Sequence, residues 1–217
     1  MARIFPSLIS ADLMNLQKEI ERLDPLVPGY HLDVMDFHFV PNLTWGPAFI
    51  RAISANTAKT LWVHLMVDNP KKWVDILELA PGSIVSFHIE TNKIINETIM
   101  AIQDKGWLPS IAINPKTNIS EAFPYLGSIY QVLLMSVEPG HSGQQFLEDT
   151  VLKLDHLNEY RNQHNLQFRI AMDGGISEKN IRQLARKGVD DFGVANALFA
   201  KTEAINALKE LQKLATL

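Results

Sequence analysis

The chain has 217 residues, a formal net charge of −4, an apolar fraction of 47% and no cysteine. These values suit a globular domain with a buried core, whereas proteins that bind nucleic acid or anionic membrane surfaces are usually basic. Without cysteine, neither a disulfide framework nor a thiolate metal site can form. We see no secretory signal peptide and no apolar run near the ~18 residues of a membrane span, so we expect a cytoplasmic protein without nucleic-acid or membrane partners.

Eight short apolar runs follow one another along the chain, and each precedes a stretch whose apolar residues have helical spacing. The predicted strands cover residues 4–9, 30–35, 60–66, 83–89, 108–113, 130–137, 168–173 and 190–195. The clearest predicted helix covers residues 146–160. The apolar residues that can share one face of this helix are Phe146, Val151, Leu154, Leu157 and Tyr160. The last predicted helix covers residues 202–217, which are mostly good helix formers.

Strand followed by helix, eight times over, predicts an α/β protein with the (β/α)8 TIM-barrel fold. An open doubly wound sheet is the structural alternative, but it normally has fewer strands, and no G-x-G-x-x-G follows the first predicted strand. No linker or low-complexity tract divides the chain, so we expect a single barrel domain over residues 1–217.

Polar residues fall near the carboxyl ends of several predicted strands. Because side chains alternate between the two faces of a strand, His31, Asp33 and Met35 share one face of the second strand. The corresponding residues on the third, fourth and seventh strands are His64 and Met66, Ser86 and His88, and Ala171 and Asp173. The carboxyl ends of the strands form the catalytic face of barrel enzymes, so we expect these side chains to meet at the barrel mouth.

Four of these residues supply two imidazoles and two carboxylates. They are His31, Asp33, His64 and Asp173. Such nitrogen and oxygen donors suit one divalent metal ion, and Zn, Fe(II), Mn and Co are all compatible with them. A single histidine in a strand is more often a hydrogen-bonded core residue. Buried carboxylates normally need a cation or a proton, so two of them at equivalent strand ends favour the metal site.

Two carboxylates on one metal ion suit a two-base reaction at a carbon beside a carbonyl group. One carboxylate removes a proton, the metal ion stabilises the resulting enediolate, and the second acid returns a proton to the opposite face. The two aspartates must therefore differ in protonation state before each turnover. Met35, Met66 and Met135 would ordinarily be core residues, but they gain a second interpretation as an apolar cap over the intermediate.

Glycines in two predicted loops indicate a site for a phosphate group. Gly140 and Gly143 follow the sixth strand, and Gly174 and Gly175 follow the seventh. Glycine lets backbone N–H groups approach an anion closely, and barrel enzymes often bind phosphate with the loops after strands 7 and 8. Glycine pairs are common in loops, so this signal is weak by itself.

Six motifs occur along the chain in a family-specific order and spacing. They are PSLISAD (6–12), HLDVMDFHFVPN (31–42), VHLMV (63–67), INP (113–115), VEPGHSGQ (137–144) and MDGGIS (172–177). On these motifs the sequence resembles the ribulose-phosphate 3-epimerases over nearly its whole length. The resemblance implies interconversion of D-ribulose 5-phosphate and D-xylulose 5-phosphate at C3 with one divalent metal ion. It also implies a homo-oligomer that acts on a small phosphosugar.

The resemblance also assigns roles to single residues. It makes Asp33 and Asp173 the acid/base pair, and these two with His31 and His64 the metal ligands. Ser10 is preferred to its neighbour Ser7 as a substrate contact. The full set expected to contact substrate is Ser10, His64, Met35, Met66, Met135, Gly140, Gly143, Gly174, Gly175, Ala195 and Asn196.

The chain departs from the family pattern in three places. Phe37 and Ser142 each replace a glycine, and Ala195 and Asn196 stand where the family has Gly and Ser. Backbone amides can still hold a phosphate if Ala195 keeps φ below zero, and the Asn196 side chain can donate in place of the serine. We therefore expect phosphate binding with altered affinity.

Three other functions need comparison. The unusual loop at residues 194–196 leaves room for a longer sugar, as in D-allulose-6-phosphate 3-epimerase. A phosphosugar or nucleotide decarboxylase would need an Asp-x-Lys-x-x-Asp array, but residues 33–36 read DVMD without a lysine. A catalytically silent ligand-binding barrel would be expected to have lost a metal ligand, and all four are present.

Overall fold

The computed structural model describes residues 2–91 and 93–216. Eight parallel strands form one sheet in the order β1-β8-β7-β6-β5-β4-β3-β2. The strands are β1 (Arg3–Pro6), β2 (Gly29–Met35), β3 (Thr60–Met66), β4 (Ile84–His88), β5 (Leu108–Ile113), β6 (Gln131–Met135), β7 (Arg169–Asp173) and β8 (Asp191–Val194). A parallel bridge between Ser7 and His31 joins the two edge strands, so the sheet nearly closes and the predicted barrel is confirmed.

Helices surround the sheet and connect its strands. They are α1 (Leu16–Leu23), α2 (Pro47–Ala55), α3 (Pro70–Ile76), α4 (Ile95–Asp104), α5 (Thr150–Gln163), α6 (Ile181–Arg186), α7 (Asn196–Phe199) and α8 (Ala204–Ala215). The connection after β5 is instead a 3₁₀ helix, Ile119–Tyr125, which contains Pro124. None of the described helices is long and apolar enough to span a bilayer.

The predicted elements differ from the structure mainly at their ends. The first strand was expected at residues 4–9, but β1 ends at Pro6 because Leu8–Ser10 turn into a 3₁₀ helix. The helix expected from residue 146 begins only at Thr150. The single domain (1–217) and the last predicted helix (202–217) both reach residues outside the described ranges. The single-domain organisation therefore stays a proposal.

The two faces of the sheet pack in different environments. Outward side chains such as Leu32, Val63 and Ile170 belong to the large cluster under the helices. Inward side chains form a second cluster inside the barrel: Phe5, Trp62, Ile84, Ala112, Leu133, Met135, Val137 and Ala171. Each large side chain buried in this way contributes about 1.5–3 kcal/mol to folding. The filled interior gives the barrel mouth a rigid floor.

A buried ion-pair network closes the amino end of the barrel. Asp191 is fully buried and accepts hydrogen bonds from Nε of Arg3 at 2.7 Å and Nε of Arg169 at 2.8 Å. Nε2 of Gln131 donates to the same carboxylate at 2.9 Å. Burial acts to raise the pKa of Asp191, but the two guanidinium groups outweigh burial and the pKa is lowered. This network stabilises the end of the barrel opposite the one that carries the active site in barrel enzymes.

Candidate active site and metal centre

The strand register brings the four predicted metal ligands together at the carboxyl end of the barrel. Asp33 on β2 lies directly beside His64 on β3. Asp173 is the last residue of β7 and lies close to the same side chains. One donor atom from each of the four residues lies within 4.8 Å of the other three. Residues far apart in the sequence therefore form one compact group of donors.

The distances within this group suit ligands around a common centre. Nδ1 of His64 lies 3.3 Å from Oδ1 of Asp33 and 3.9 Å from Oδ2 of Asp173. Nδ1 of His31 lies 3.4 Å from Oδ2 of Asp33. Two ligands of a tetrahedral metal ion, each bonded at ~2.1 Å, would be roughly 3.4 Å apart. The spacing is thus compatible with a metal centre.

His31 supplies an independent test of this fit. Its side chain is fully buried. Among the described residues, neither of its ring nitrogens has a hydrogen-bond partner. A buried polar group without a partner is costly, and a metal ion bound to one nitrogen would remove part of that cost. The donor set therefore fits a divalent metal ion, although the ligand types do not distinguish Zn, Fe(II), Mn and Co.

The two aspartates have opposite protonation preferences. Burial acts to raise the pKa of Asp33, but His31 and His64 outweigh burial and hold the pKa well below its usual range. The hydroxyl of Ser7 also donates to Oδ2 of Asp33 at 2.6 Å. Burial, together with the nearby charge of Asp33, raises the pKa of Asp173 to about 7. One carboxylate is thus ionised while its neighbour can keep a proton at neutral pH.

Behind His64 lies a chain of polar groups to which the sequence analysis assigned no role. Nε2 of His64 lies 2.9 Å from Nε2 of His88, and Nδ1 of His88 lies 3.2 Å from Oε2 of Glu90. Burial lowers the pKa of His88 to about 4. Burial acts to raise the pKa of Glu90, but its hydrogen bonds, chiefly that with His88, outweigh burial and the pKa is lowered. The inward position of His88 was visible in the sequence, whereas Glu90 lies in a 3₁₀ turn beyond the strand.

The two serines of the first motif have different surroundings. Ser7 is buried and contacts Asp33, as described above. Ser10, the predicted substrate contact, shares a hydrogen bond of 2.7 Å with Ser142 at the exposed rim. Ser7 lines the central cavity, and Ser10 is not among the described residues that do so. The role of Ser10 stays a prediction. Ser7 is the serine of this motif that both contacts Asp33 and lines the cavity.

A cavity of about 580 Å³ opens from the two aspartates towards the loops after β6, β7 and β8. The predicted residues that line it are Asp33, Met35, Met66, Met135, Gly140, Gly143, Asp173, Gly174, Gly175, Ala195 and Asn196. The three methionines are almost fully buried. His31 and His64 lie deeper than the carboxylates and do not line the cavity. This volume is in the range of small-molecule sites.

The glycines of the loop after β7 are required by close packing. Gly174 and Gly175 have φ of 108° and 64°. A Cβ on Gly174 would lie 2.5 Å from Cγ2 of Val137, and one on Gly175 would lie 2.5 Å from the backbone N of Phe146. These glycines therefore let the β7 loop pack against the β6 loop on one side of the cavity.

Gly193 on β8 is a site residue that the sequence analysis missed. A Cβ at this position would lie 2.8 Å from Oδ1 of Asp173. Gly193 also lines the cavity. Gly193 pairs with Asp173 across the two strands, and this pairing could be recognised only from the register of β7 and β8.

The structure also describes the three departures from the family pattern. Ala195 has φ of −105°, which meets the condition set for phosphate binding by the backbone. Asn196 begins α7 at the cavity edge. Phe37 has φ of 64°, so it keeps the left-handed conformation that a glycine adopts easily. Ser142 lies on the rim and pairs with Ser10.

Comparisons with known proteins identify related sequences. A sequence model described as the ribulose-phosphate 3 epimerase family matches residues 3–199. A ribulose-phosphate 3-epimerase from Helicobacter pylori (strain J99) is 36% identical over 97% of this chain and 96% of its own length. Proteins of the same name from Methanocaldococcus jannaschii and Escherichia coli are 34% and 32% identical. Those two alignments cover 99% and 96% of this chain, and 92% and 94% of the respective relatives.

Solved structures with lower sequence identity share the fold. The 3-hexulose-6-phosphate synthase from Salmonella typhimurium has a TM-score of 0.72 at 15% identity, with 99% of this chain and 98% of that chain covered. The KGPDC of Streptococcus mutans has a TM-score of 0.69 at 11% identity, with 100% and 98% covered. At such identities the likeness concerns the barrel alone.

Proposed function

Because the chain belongs to the ribulose-phosphate 3-epimerase family and is an epimerase, we propose that it interconverts D-ribulose 5-phosphate and D-xylulose 5-phosphate. The reaction would invert C3 by two-base proton transfer between Asp33 and Asp173. The observation that carries this proposal is the pair of carboxylates itself, since Asp33 and Asp173 face one cavity. The opposite directions of their pKa shifts support it.

We propose that His31, Asp33, His64 and Asp173 hold one divalent metal ion, namely Zn, Fe(II), Mn or Co. When bound, such an ion would polarise the ketose carbonyl and stabilise negative charge on its oxygen. The spacing of the donor atoms supports this assignment, as do the nitrogens of His31, which have no hydrogen-bond partner among the described residues.

In one direction of the reaction, ionised Asp33 removes the proton from C3 and neutral Asp173 delivers a proton to the opposite face. The hydroxyl of Ser7 donates to Oδ2 of Asp33, so it holds that carboxylate in place and leaves Oδ1 for other partners. After the transfer, Asp33 is protonated and Asp173 is ionised, which is the starting state for the reverse reaction. Each carboxylate therefore acts once as a base and once as an acid.

The remainder of the cavity suits the rest of a phosphosugar. Met35, Met66 and Met135 provide an apolar, polarizable surface that excludes water from the reacting carbon. We assign the phosphate to the lobe between the loops after β6, β7 and β8. Its lining includes Gly140, Gly143, Gly174, Gly175, Ala195 and Asn196. A cytoplasmic homo-oligomer completes the proposal, and one relative, from Oryza sativa, is named as a cytoplasmic isoform.

Turnover in deuterium oxide tests this proposal. D-Ribulose 5-phosphate should give D-xylulose 5-phosphate with deuterium at C3, and Asp173→Asn should lose nearly all turnover because it removes one acid/base group and a metal ligand. A metal-loaded wild-type chain that epimerises without solvent exchange at C3 would contradict the two-base mechanism.

Substrate choice needs a parallel assay. D-Allulose 6-phosphate and the unphosphorylated ketose should be compared with D-ribulose 5-phosphate at equal enzyme concentration. We expect the highest kcat/KM with the pentose phosphate and a much higher KM for the free ketose. Equal kcat/KM with and without phosphate would refute the assignment of the phosphate to this lobe. Faster turnover of the hexose phosphate would change the assigned substrate.

A further inference from the structure

A chain of hydrogen-bonding groups lies on the side of His64 that faces away from the two aspartates. Nε2 of His64 lies 2.9 Å from Nε2 of His88, whose Nδ1 lies 3.2 Å from Oε2 of Glu90. Both imidazoles are fully buried, so their ring nitrogens must find partners within the protein. The proton transfers proposed above do not involve these contacts.

The far end of the chain determines the direction of each hydrogen bond. The backbone N–H of Asn114 donates to Oε1 of Glu90 at 2.8 Å. An ionised carboxylate can only accept, so Nδ1 of His88 must carry the hydrogen and donate to Glu90. In a neutral ring, this leaves Nε2 of His88 as an acceptor. Nε2 of His64 must then be the donor, and Nδ1 of His64 presents a lone pair.

The lone pair on Nδ1 of His64 faces the carboxylates of Asp33 and Asp173. Nδ1 of His64 lies 3.3 Å from an oxygen of Asp33 and 3.9 Å from an oxygen of Asp173. A lone pair directed at carboxylate oxygens is unfavourable unless a cation lies between them. The tautomer imposed from behind is thus the one that a metal ligand needs.

We propose that Glu90 and His88 position His64 for metal binding by holding its ring in the tautomer whose Nδ1 is free. Partners of this kind commonly fix the tautomer and the orientation of a ligating histidine. The inference rests on the metal site of the proposed function and adds two positioning residues to it. Neither of them belongs to the proposed set of metal ligands, and neither lines the cavity.

Glu90→Gln is a direct test because it changes few atoms but reverses the direction of the hydrogen bonds that link residue 90 to His88 and His64. The N–H of Asn114 still needs an acceptor, so the amide oxygen stays on that side and the NH₂ group faces His88. His88 would then accept at Nδ1 and donate from Nε2, which places the hydrogen of His64 on Nδ1. We expect the affinity of the metal-free protein for Zn²⁺ to fall about 10- to 100-fold.

The matched control is Glu97→Gln, which neutralises an exposed acid in the first turn of α4. Its Zn²⁺ affinity should equal that of the wild type. Circular dichroism and thermal unfolding should show that both variants are folded. A folded Glu90→Gln variant that binds Zn²⁺ as tightly as the wild type would overturn the inference.

A second measurement uses the unmodified chain. Long-range ¹H–¹⁵N correlation NMR on the metal-free protein with ¹⁵N-labelled histidine reports which ring nitrogen carries the hydrogen. We expect Nε2–H at His64 and Nδ1–H at His88. The opposite tautomer at either ring would refute the positioning role, even if Glu90→Gln fails to fold.

The results separate this inference from the proposed function. If the wild-type chain binds none of Zn²⁺, Mn²⁺ and Co²⁺, the metal site is refuted and the positioning role with it. If it binds Zn²⁺ but the metal-free protein shows the opposite tautomers, the metal site stands and the positioning role alone is wrong.

Discussion

Replacing Gly193 by alanine should damage catalysis while leaving the barrel folded. The added Cβ would lie 2.8 Å from Oδ1 of Asp173, whereas favourable heavy-atom contacts are about 3.5 Å. The next contacts are with other atoms of the same side chain, Cγ at 3.2 Å and Cβ at 3.3 Å. The carboxylate must therefore retreat by roughly 0.5 Å or more, since it is more easily moved than the backbone of β8.

This displacement sets the expected size of the effect. A misplacement of about 1 Å at a reacting group can reduce the rate by about 100-fold, and productive geometry tolerates only about 0.5 Å. We therefore expect kcat of Gly193→Ala to fall roughly 10- to 100-fold, which corresponds to about 1.4–2.7 kcal/mol of activation free energy. Zn²⁺ binding should weaken as well, because Asp173 is also a proposed metal ligand.

The assay compares steady-state kinetics of metal-loaded Gly193→Ala with those of Gly127→Ala. An added Cβ at Gly127 would meet no heavy atom within 4 Å, so this control changes a glycine without a clash. Thermal unfolding checks that both variants are folded. If Gly193→Ala keeps kcat within about twofold of the control, the position of Asp173 does not limit the reaction and the reasoning is wrong.

Three further predictions concern stability and metal content. Phe37 has φ of 64° and is largely exposed, so Phe37→Gly should relieve backbone strain and stabilise the chain by about 1 kcal/mol, or roughly 2–4 °C in Tm; an unchanged or lower Tm would contradict this. The pKa of Asp191 is lowered in the folded state, so its ion pairs stabilise the fold above the ordinary pKa of 3.8 and this contribution disappears as pH falls below it. Asp191→Asn should therefore lose roughly 3 kcal/mol at pH 7 and show a weaker dependence on pH below 3.8 in urea unfolding, whereas parallel pH profiles would refute the account. Chelation with EDTA should abolish turnover and lower Tm, and about 100 Kd of added Zn²⁺ should restore about 2.7 kcal/mol of stability, so a chain indifferent to EDTA in both measurements would exclude a metal site.

The strand pattern of this fold is readable from the sequence because buried parallel strands form continuous apolar runs. Those runs located all eight strands, and the alternation of side chains placed His31, Asp33, His64 and Asp173 on inward faces. The residues at which the strands end are less predictable from the sequence. The turn at Leu8–Ser10 follows β1 without a change in hydrophobicity, so the sequence pattern predicts an end of the first strand three residues beyond the observed one.

Contacts between strands were beyond the reach of the sequence pattern. Gly193 matters because the register of β7 and β8 places it against Asp173, and a single glycine in a strand gives no hint of that neighbour. Glu90 reaches His88 only through a 3₁₀ turn that ends the regular alternation. Ser7 and Ser10 fit the same motif, and only their coordinates separate the one that contacts Asp33.

Buried carboxylates at the two ends of the barrel have different ion-pair partners. This difference separates a carboxylate that stabilises the fold from the two that are proposed to act in catalysis. Asp191 is satisfied by two arginines and a glutamine, so its charge is fully compensated and it has no capacity left for a ligand. The ion-pair partners of Asp33 and Asp173 among the described residues are histidines, whose nitrogens can be given up to a metal ion. An arginine would keep its positive charge permanently. Imidazole partners would instead let these carboxylates bind a cation and exchange protons, as the proposed function requires.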